Sequence, residues 1–321
     1  MILDFDNKWN TGQTITVGFF NGSAALHEKV EAAAKVWEEF ANLKFDFNPN
    51  LSHHNIRIKF HAGMNDSKIG TDNLSFDNND EDTMKYLSLS ENSSEEDFGR
   101  YAVHEFGHAI GLIHEHLHPD FNFKLDEAKL TEYYKENFNY SDDDCENNLF
   151  RNYARNVLRY SEFDPDSLMM YTIPKDMNSN KVEYTQHSTL SEIDKKFIAT
   201  MYPETEAEII ELAEDKFAKA ELITDYEENN FKFINTNPDR TFCEITVDSD
   251  SDIVLCLYNI NGEDSKKNGT RHYISPFSLN EGIGSQFTYS PDLSTPGEYF
   301  LCVRHFDPKG RAKYKIKVKV F

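Results

Sequence analysis

The chain has 321 residues, 39% of them hydrophobic, with 25 Phe and 16 Tyr, and a formal net charge of -23. That is enough apolar material for two domains, each with a core, and it carries no basic face for nucleic acid, which needs one to neutralise phosphate. The same acidity repels anionic membranes, and no apolar run reaches transmembrane length.

Thr14 to Phe20 is rich in β-branched and aromatic residues and predicts a strand. Asn21-Gly22-Ser23 is a turn with Ser23 as helix N-cap, and His27 to Leu43 follows as an amphipathic helix, with Val30, Ala34, Val36, Trp37 and Phe40 near a 3.6 period. Phe45 to Phe47 is a short extended piece. Asn55 to Phe60 alternates apolar and polar residues, the pattern of a half-buried strand. Strand, helix, strand outlines a right-handed crossover unit. Ser67 to Phe76 and Met84 to Leu89 carry weaker strand signals. The acidic run Asp77 to Asp82 between them has a composition that binds calcium, but the reading adopted is a solvated loop.

A helix should begin near Ser94-Glu95-Glu96-Asp97, where acidic residues favour a helix N-terminus. It runs into His104-Glu105-Phe106-Gly107-His108-Ala109-Ile110-Gly111-Leu112-Ile113-His114. Residues four apart share a helix face, so His104 and His108 are placed to hold one metal ion. Glu105 is adjacent to the first ligand and reaches a metal-bound water without occupying a coordination position. Gly111 supplies the sharp turn that ends the helix, and His114 returns to the same ion. Three protein nitrogens leave a fourth position open, as in catalytic zinc sites. The extended pattern resembles the zinc-binding sequence of the metzincin metalloproteases, and Glu115 directly after the third histidine makes it similar to the astacin branch. That resemblance implies zinc as the cofactor and Glu105 as general base. It gives Glu115 a buried N-terminus to meet, and it makes Met84 to Leu89 the edge strand that pairs with extended substrate. His116 and His118 are not assigned to the metal and stay as supporting or loop residues.

Asp126 to Glu162 is polar and helical, with Leu130, Tyr133, Tyr134 and Phe138 on one face, and stands where the lower subdomain carries its variable insertion. Asp166-Ser167-Leu168-Met169-Met170-Tyr171 resembles the Met-turn of astacins. By that resemblance Met169 lies beneath the zinc, and Tyr171 is an additional ligand at rest that moves to the oxyanion during turnover. Lys175 and Lys181 follow, near the primed-side wall, and raise a preference for acidic side chains as an expectation. Leu190 to Ile198 is a helix capped by Ser191, with Asp194 completing a capping box, and Met201-Tyr202-Pro203 ends it. The resemblance covers residues 8 to 203.

Glu204 to Tyr226 is expected to be a helical connector with an apolar stripe of Ile209, Ala213, Phe217 and Ala220. From Phe231 onward short β-rich runs alternate with Gly, Pro, Asn and Asp, which predicts an all-β sandwich. Pro296-Gly297-Glu298-Tyr299-Phe300 and the final alternating strand resemble bacterial pre-peptidase C-terminal domains. Asp248 to Asp252 is read as a turn and not as a calcium site. The 4 cysteines, Cys145, Cys243, Cys256 and Cys302, lack metal or redox spacing, and those after Cys145 permit one disulfide among themselves. Secreted animal astacins carry disulfides in the catalytic half, where this chain has only Cys145, so the departure suggests a bacterial type or a reducing compartment.

The expected fold is α+β: a metzincin-type catalytic domain over 1–203, with a twisted mixed sheet, long helices and a zinc cleft, then a helical connector over 204–228 and a β-sandwich accessory domain over 229–321. The expected function is zinc-dependent endopeptidase, acting on protein or peptide substrates as a monomer without nucleic acid or a membrane span. The rival readings are an effector or toxin protease with one narrow host substrate and a non-catalytic zinc-binding protein. Glu105 and Tyr171 argue against the latter, since a structural zinc needs neither. Secretion or export is expected, although Met1 to Asp6 has neither the basic start nor the apolar run of a secretory signal. Cytoplasmic residence and signal-independent export therefore stay open.

Overall fold

The computed structural model describes all residues except 6, 52, 62–64, 75–80, 87, 152, 154–157, 205–207, 224–227, 260–271, 280–285, 290–292, 294–295 and 306–309. Most of the acidic run expected as a loop after Phe76 lies outside the described residues. The chain forms two units, Met1–Glu204 and Thr205–Phe321.

The first unit is built on strands β1 (Ile2–Asp4), β2 (Thr14–Phe19), β3 (Lys44–Asp46), β4 (Ile56–Phe60), β5 (Asp66–Ser67) and β6 (Met84–Tyr86), with helix α1 (Ala24–Glu38) between β2 and β3. One sheet has the order β3-β2-β4-β6-β5, parallel throughout except for β5, which is antiparallel to β6. Ser23 accepts a hydrogen bond from the Leu26 amide at 3.2 Å and starts α1 earlier than its apolar period implies. The helix buries Leu26, Val30, Ala33, Ala34 and Trp37. It ends at Glu38, before the expected Leu43, because Ala41 and Leu43 are buried by the turn that follows. The expected edge strand is also corrected. The segment from Met84 is interior, paired on both sides, and β5 forms the edge. Alternation reports that a strand is half-buried, but not how many neighbours it has.

Next come α2 (Glu95–Asp97), a π-helical stretch (Phe98–Val103) and α3 (His104–Ala109). A capping box between Ser94 and Asp97 starts this run. Aromatic donors then satisfy carbonyls that the irregular and terminal turns leave open. Trp37 Nε1 donates to Val103 O at 2.8 Å, Trp9 Nε1 to Ala109 O at 2.7 Å, and the Tyr202 hydroxyl to Ile110 O at 2.7 Å. After Gly111 (φ 101) the chain becomes β7 (Leu112–Ile113), which pairs with β1. On its other side β1 pairs with β8 (Leu158–Tyr160), so the expected helical stretch to Glu162 closes in a strand. Its helical part is α4 (Glu127–Phe138), α5 (Asp142–Cys145) and a π-helical stretch (Glu146–Phe150). Leu130, Tyr134, Cys145 and Leu149 pack there against Met170 and Ile173. Helix α6 (Glu192–Met201) starts at the capping box of Ser191 and Asp194.

The second unit is a two-sheet β structure of β9 (Ile209–Glu211), β10 (Ala218–Leu222), β11 (Glu228–Asn235), β12 (Cys243–Ser249), β13 (Ile253–Asn259), β14 (His272–Leu279), β15 (Gln286–Tyr289), β16 (Gly297–His305) and β17 (Ala312–Val320). The sheets run β10-β17-β12-β15 and β14-β13-β16-β11-β9, with Phe231, Ile245, Val247, Leu301, Ile316 and Val318 in the core. The connector expected as a helix over 204–228 is overturned: β9 and β10 belong to these sheets. Ile209 and Phe217, two members of the supposed helical stripe, are 44% and 45% exposed. The inward residues are Ile210, Leu212, Ala218, Ala220 and Leu222, which follow a strand period. Cys145 and Cys243 carry free thiols. No helix among the described residues is long and apolar enough to cross a membrane.

Candidate metal centre and catalytic cleft

Helix α3 carries His104 and His108 on one face, and the β1–β7 pairing brings His114 back beside them. Their ligand atoms lie within 4.8 Å of one another and all three residues are buried. Each ring is held by a backbone carbonyl at Nδ1: His104 by Leu168 O at 3.1 Å, His108 by Leu112 O at 2.8 Å, His114 by Asn148 O at 3.3 Å. A carbonyl only accepts, so each Nδ1 carries the proton and each Nε2 presents a lone pair. The Nε2 atoms of His108 and His114 are 2.9 Å apart. Two lone pairs facing at that distance repel unless a cation draws both, so this donor set fits a metal. Burial, then repulsion from its neighbours, pushes His104 down to about 3. Burial likewise lowers His108 and His114. The trio is therefore neutral, as metal ligation requires.

Glu105 is buried beside the trio. Burial, with the Asp66 charge adding to it, raises its carboxyl well above the usual range, and Oε2 has no hydrogen-bond partner among the described residues. The Tyr171 ring lies 3.9 Å from that of His114 between centroids, tilted by 39°. A cleft of about 460 Å³ opens here, lined among others by His104, Glu105, Tyr140, Tyr171, Thr172 and Gln186. Lys175 and Lys181 are exposed and are not among the residues that line it.

The Met-turn segment is the floor. Met169 is fully buried against Gly107, where a side-chain Cβ would come within 2.7 Å of its sulfur. Asp194 accepts from the Leu168 amide at 2.8 Å, and the Leu168 carbonyl holds His104, so α6 steadies the first ligand through the turn. Glu115 is fully buried, 2.8 Å from the Met1 amino group, and accepts from the Asp164 amide at 2.8 Å. Burial drives its carboxyl up to about 7 against the pull of that amine. His118 bonds Ser161 O and the Asp120 amide, and the buried His116 ring lies 5.7 Å from that of His114. The carbonyls of Leu112, Asn148 and Leu168 were not foreseen, since a backbone carbonyl has no sequence signature.

The model of a peptidase family, Astacin, matches residues 2–203. The chain belongs to the astacin family. It is a metalloendopeptidase, so its substrate is protein or peptide, and the astacin family is zinc-dependent. A structure of myroilysin is 36% identical, covering 64% of this chain and 100% of that chain with a TM-score of 0.60. High choriolytic enzyme 1, a hatching enzyme zinc-protease from Oryzias latipes (Medaka fish), is 16% identical over 61% of this chain and 94% of that chain, with a TM-score of 0.41. The pre-peptidase C-terminal domain of collagenase from Bacillus anthracis is 18% identical over 36% of this chain and 99% of that chain, with a TM-score of 0.27. No curated protein matches the chain.

Proposed function

We propose that this astacin cuts internal peptide bonds of protein substrates, using one zinc ion held by Nε2 of His104, His108 and His114. The observation that carries the reading is the buried trio of neutral imidazoles whose outer nitrogens are all tied to carbonyls. A zinc ion held by these three imidazoles would supply the Lewis acidity that makes a water nucleophilic near neutral pH. Glu105 takes a proton from the attacking water on its carboxylate and passes it to the leaving amine nitrogen. The buried setting that raises its proton affinity suits it to both halves of that transfer. The Tyr171 hydroxyl donates a hydrogen bond to the carbonyl oxygen as negative charge builds there, and it is the candidate additional ligand at rest. Gly111, Met169 and Glu115 support the site without touching substrate. The carbonyls of Leu168, Leu112 and Asn148 keep the imidazoles oriented throughout.

Substrate binds extended along β5, which among the described residues has no strand paired to its outer edge. The unit from Thr205 onward serves as an accessory domain, and the protein acts as an exported monomer.

The test is digestion of a diverse peptide mixture by the wild type and by Glu105→Gln, each with its zinc content measured. At equal zinc, the wild type should cleave and the variant should be slower by about 10²–10⁴-fold or more. Full activity in the variant sinks the mechanism. A wild type that carries zinc yet leaves the mixture intact would favour the narrow-substrate effector reading.

A further inference from the structure

Among the described residues, the hydrogen-bond partner of the Tyr171 hydroxyl is another phenol: the Tyr140 hydroxyl lies 2.9 Å away. Tyr140 follows Asn139, whose left-handed backbone (φ 57) ends α4 and turns the chain so that Tyr140 lines the cleft. The Tyr171 ring neighbours His114 at 3.9 Å and Tyr134 at 5.7 Å between centroids. Tyr134 is itself tied to Thr172 O at 2.8 Å. Tyr140 is the group that meets the Tyr171 hydroxyl, so which of the two phenols donates decides where the Tyr171 proton points. A phenol, with an ordinary pKa of about 10, keeps its proton near neutral pH. Two protonated phenols sharing one hydrogen bond leave one proton for a third acceptor.

We propose that Tyr140 is a positioning residue for peptide-bond hydrolysis: its O–H donates to the Tyr171 oxygen, which leaves the Tyr171 proton free to point at the scissile carbonyl. The inference rests on the contact proposed above between Tyr171 and that carbonyl. In the opposite arrangement Tyr171 would spend its proton on Tyr140 and have none for substrate. A hydroxyl whose oxygen accepts a hydrogen bond is a stronger donor, because the linked bonds polarise each other. The gain grows with charge on the carbonyl oxygen, so it is larger in the transition state than in the bound substrate and appears in kcat. No motif marks Tyr140, which sits among polar residues between two helices.

The test is a double-mutant cycle on the full chain with wild type, Tyr140→Phe, Tyr171→Phe and the double variant. Three quantities are read: kcat and KM on one fluorogenic peptide at matched zinc, the Kd of a phosphinic peptide that mimics the tetrahedral state, and the melting temperature of the metal-free protein. Tyr140→Phe should lower kcat about 3- to 10-fold with KM unchanged and weaken the phosphinic peptide by the same factor. In the Tyr171→Phe background it should change neither. In the metal-free protein each single variant strands one phenol, so the double variant should melt no lower than the less stable single one. Unchanged kcat, a rise in kcat, an undiminished loss in the Tyr171→Phe background, or additive melting losses would each overturn the proposal; a rise would mean that Tyr140 restrains Tyr171. If Tyr171→Phe itself keeps full kcat, the role of Tyr171 has failed, and that is seen without reference to Tyr140.

Discussion

At the level of single residues, the metal centre depends on where protons sit. Each ligand imidazole is buried with Nδ1 against a carbonyl, which fixes the tautomer and leaves Nε2 unprotonated. A free histidine begins to lose metal to protons near its ordinary pKa of about 6.5. Here His104 is pushed down to about 3, with His108 and His114 displaced in the same direction. A depressed pKa means that acid must go further before protons compete with the ion. Zinc affinity measured by chelator competition should therefore hold roughly level through about pH 6.5 and fall only at a more acid pH than a free histidine's would. A decline that sets in at 6.5 would show that the site does not hold its ligands neutral. Glu105 differs in kind. It is raised by the same burial that lowers the histidines, because burial penalises whichever form is charged.

At the level of elements, the active-site helix is held by what it touches along its length. Trp37, Trp9 and Tyr202 come from the first helix, the segment before β2 and the end of α6, and each donates to one of its carbonyls. Gly107 lets this helix approach the Met-turn. A Cβ at Gly107 would lie 2.7 Å from Met169 Sδ and 3.0 Å from the Trp37 ring. Gly107→Ala should cost about 1–3 kcal/mol through overpacking. It should also lower kcat, since Met169 neighbours Leu168, whose carbonyl orients His104. Thermal melting with steady-state kinetics checks both, and an alanine variant with wild-type stability and rate would show that the floor yields freely. The π-helical stretch before the ligands and the capping box at Ser94 were differently legible: the box follows from residue types three apart, whereas a widened helical turn follows from packing.

On the scale of the whole molecule, each unit has its own hydrophobic core, and the candidate metal residues all lie in Met1–Glu204. Metal that binds only the folded form stabilises only the unit that holds it. Scanning calorimetry of the zinc-loaded chain should therefore show two transitions, and a chelator should lower one while leaving the other in place. A single transition that shifts as a whole would mean that the units unfold together.

The sequence by itself determined what depends on neighbours a few residues apart. The histidine spacing, the turn at Gly111, the caps at Ser23 and Ser191, the helix start near Ser94, and the strands over Thr14–Phe20 and Asn55–Phe60 all follow from local backbone geometry, which residue type biases directly. The tertiary structure decided whatever joins distant segments. It made β5 the edge in place of the strand from Met84, and it recruited Ile209–Glu211 and Ala218–Leu222 into sheets where a helix was expected. It set Leu168 O and Asn148 O on the ligand rings and brought Tyr140 to Tyr171. The reason is physical. A short apolar run satisfies its backbone equally well as helix or strand until a partner strand is present, and a carbonyl or a phenol carries no sign in its own neighbourhood of the group it will meet.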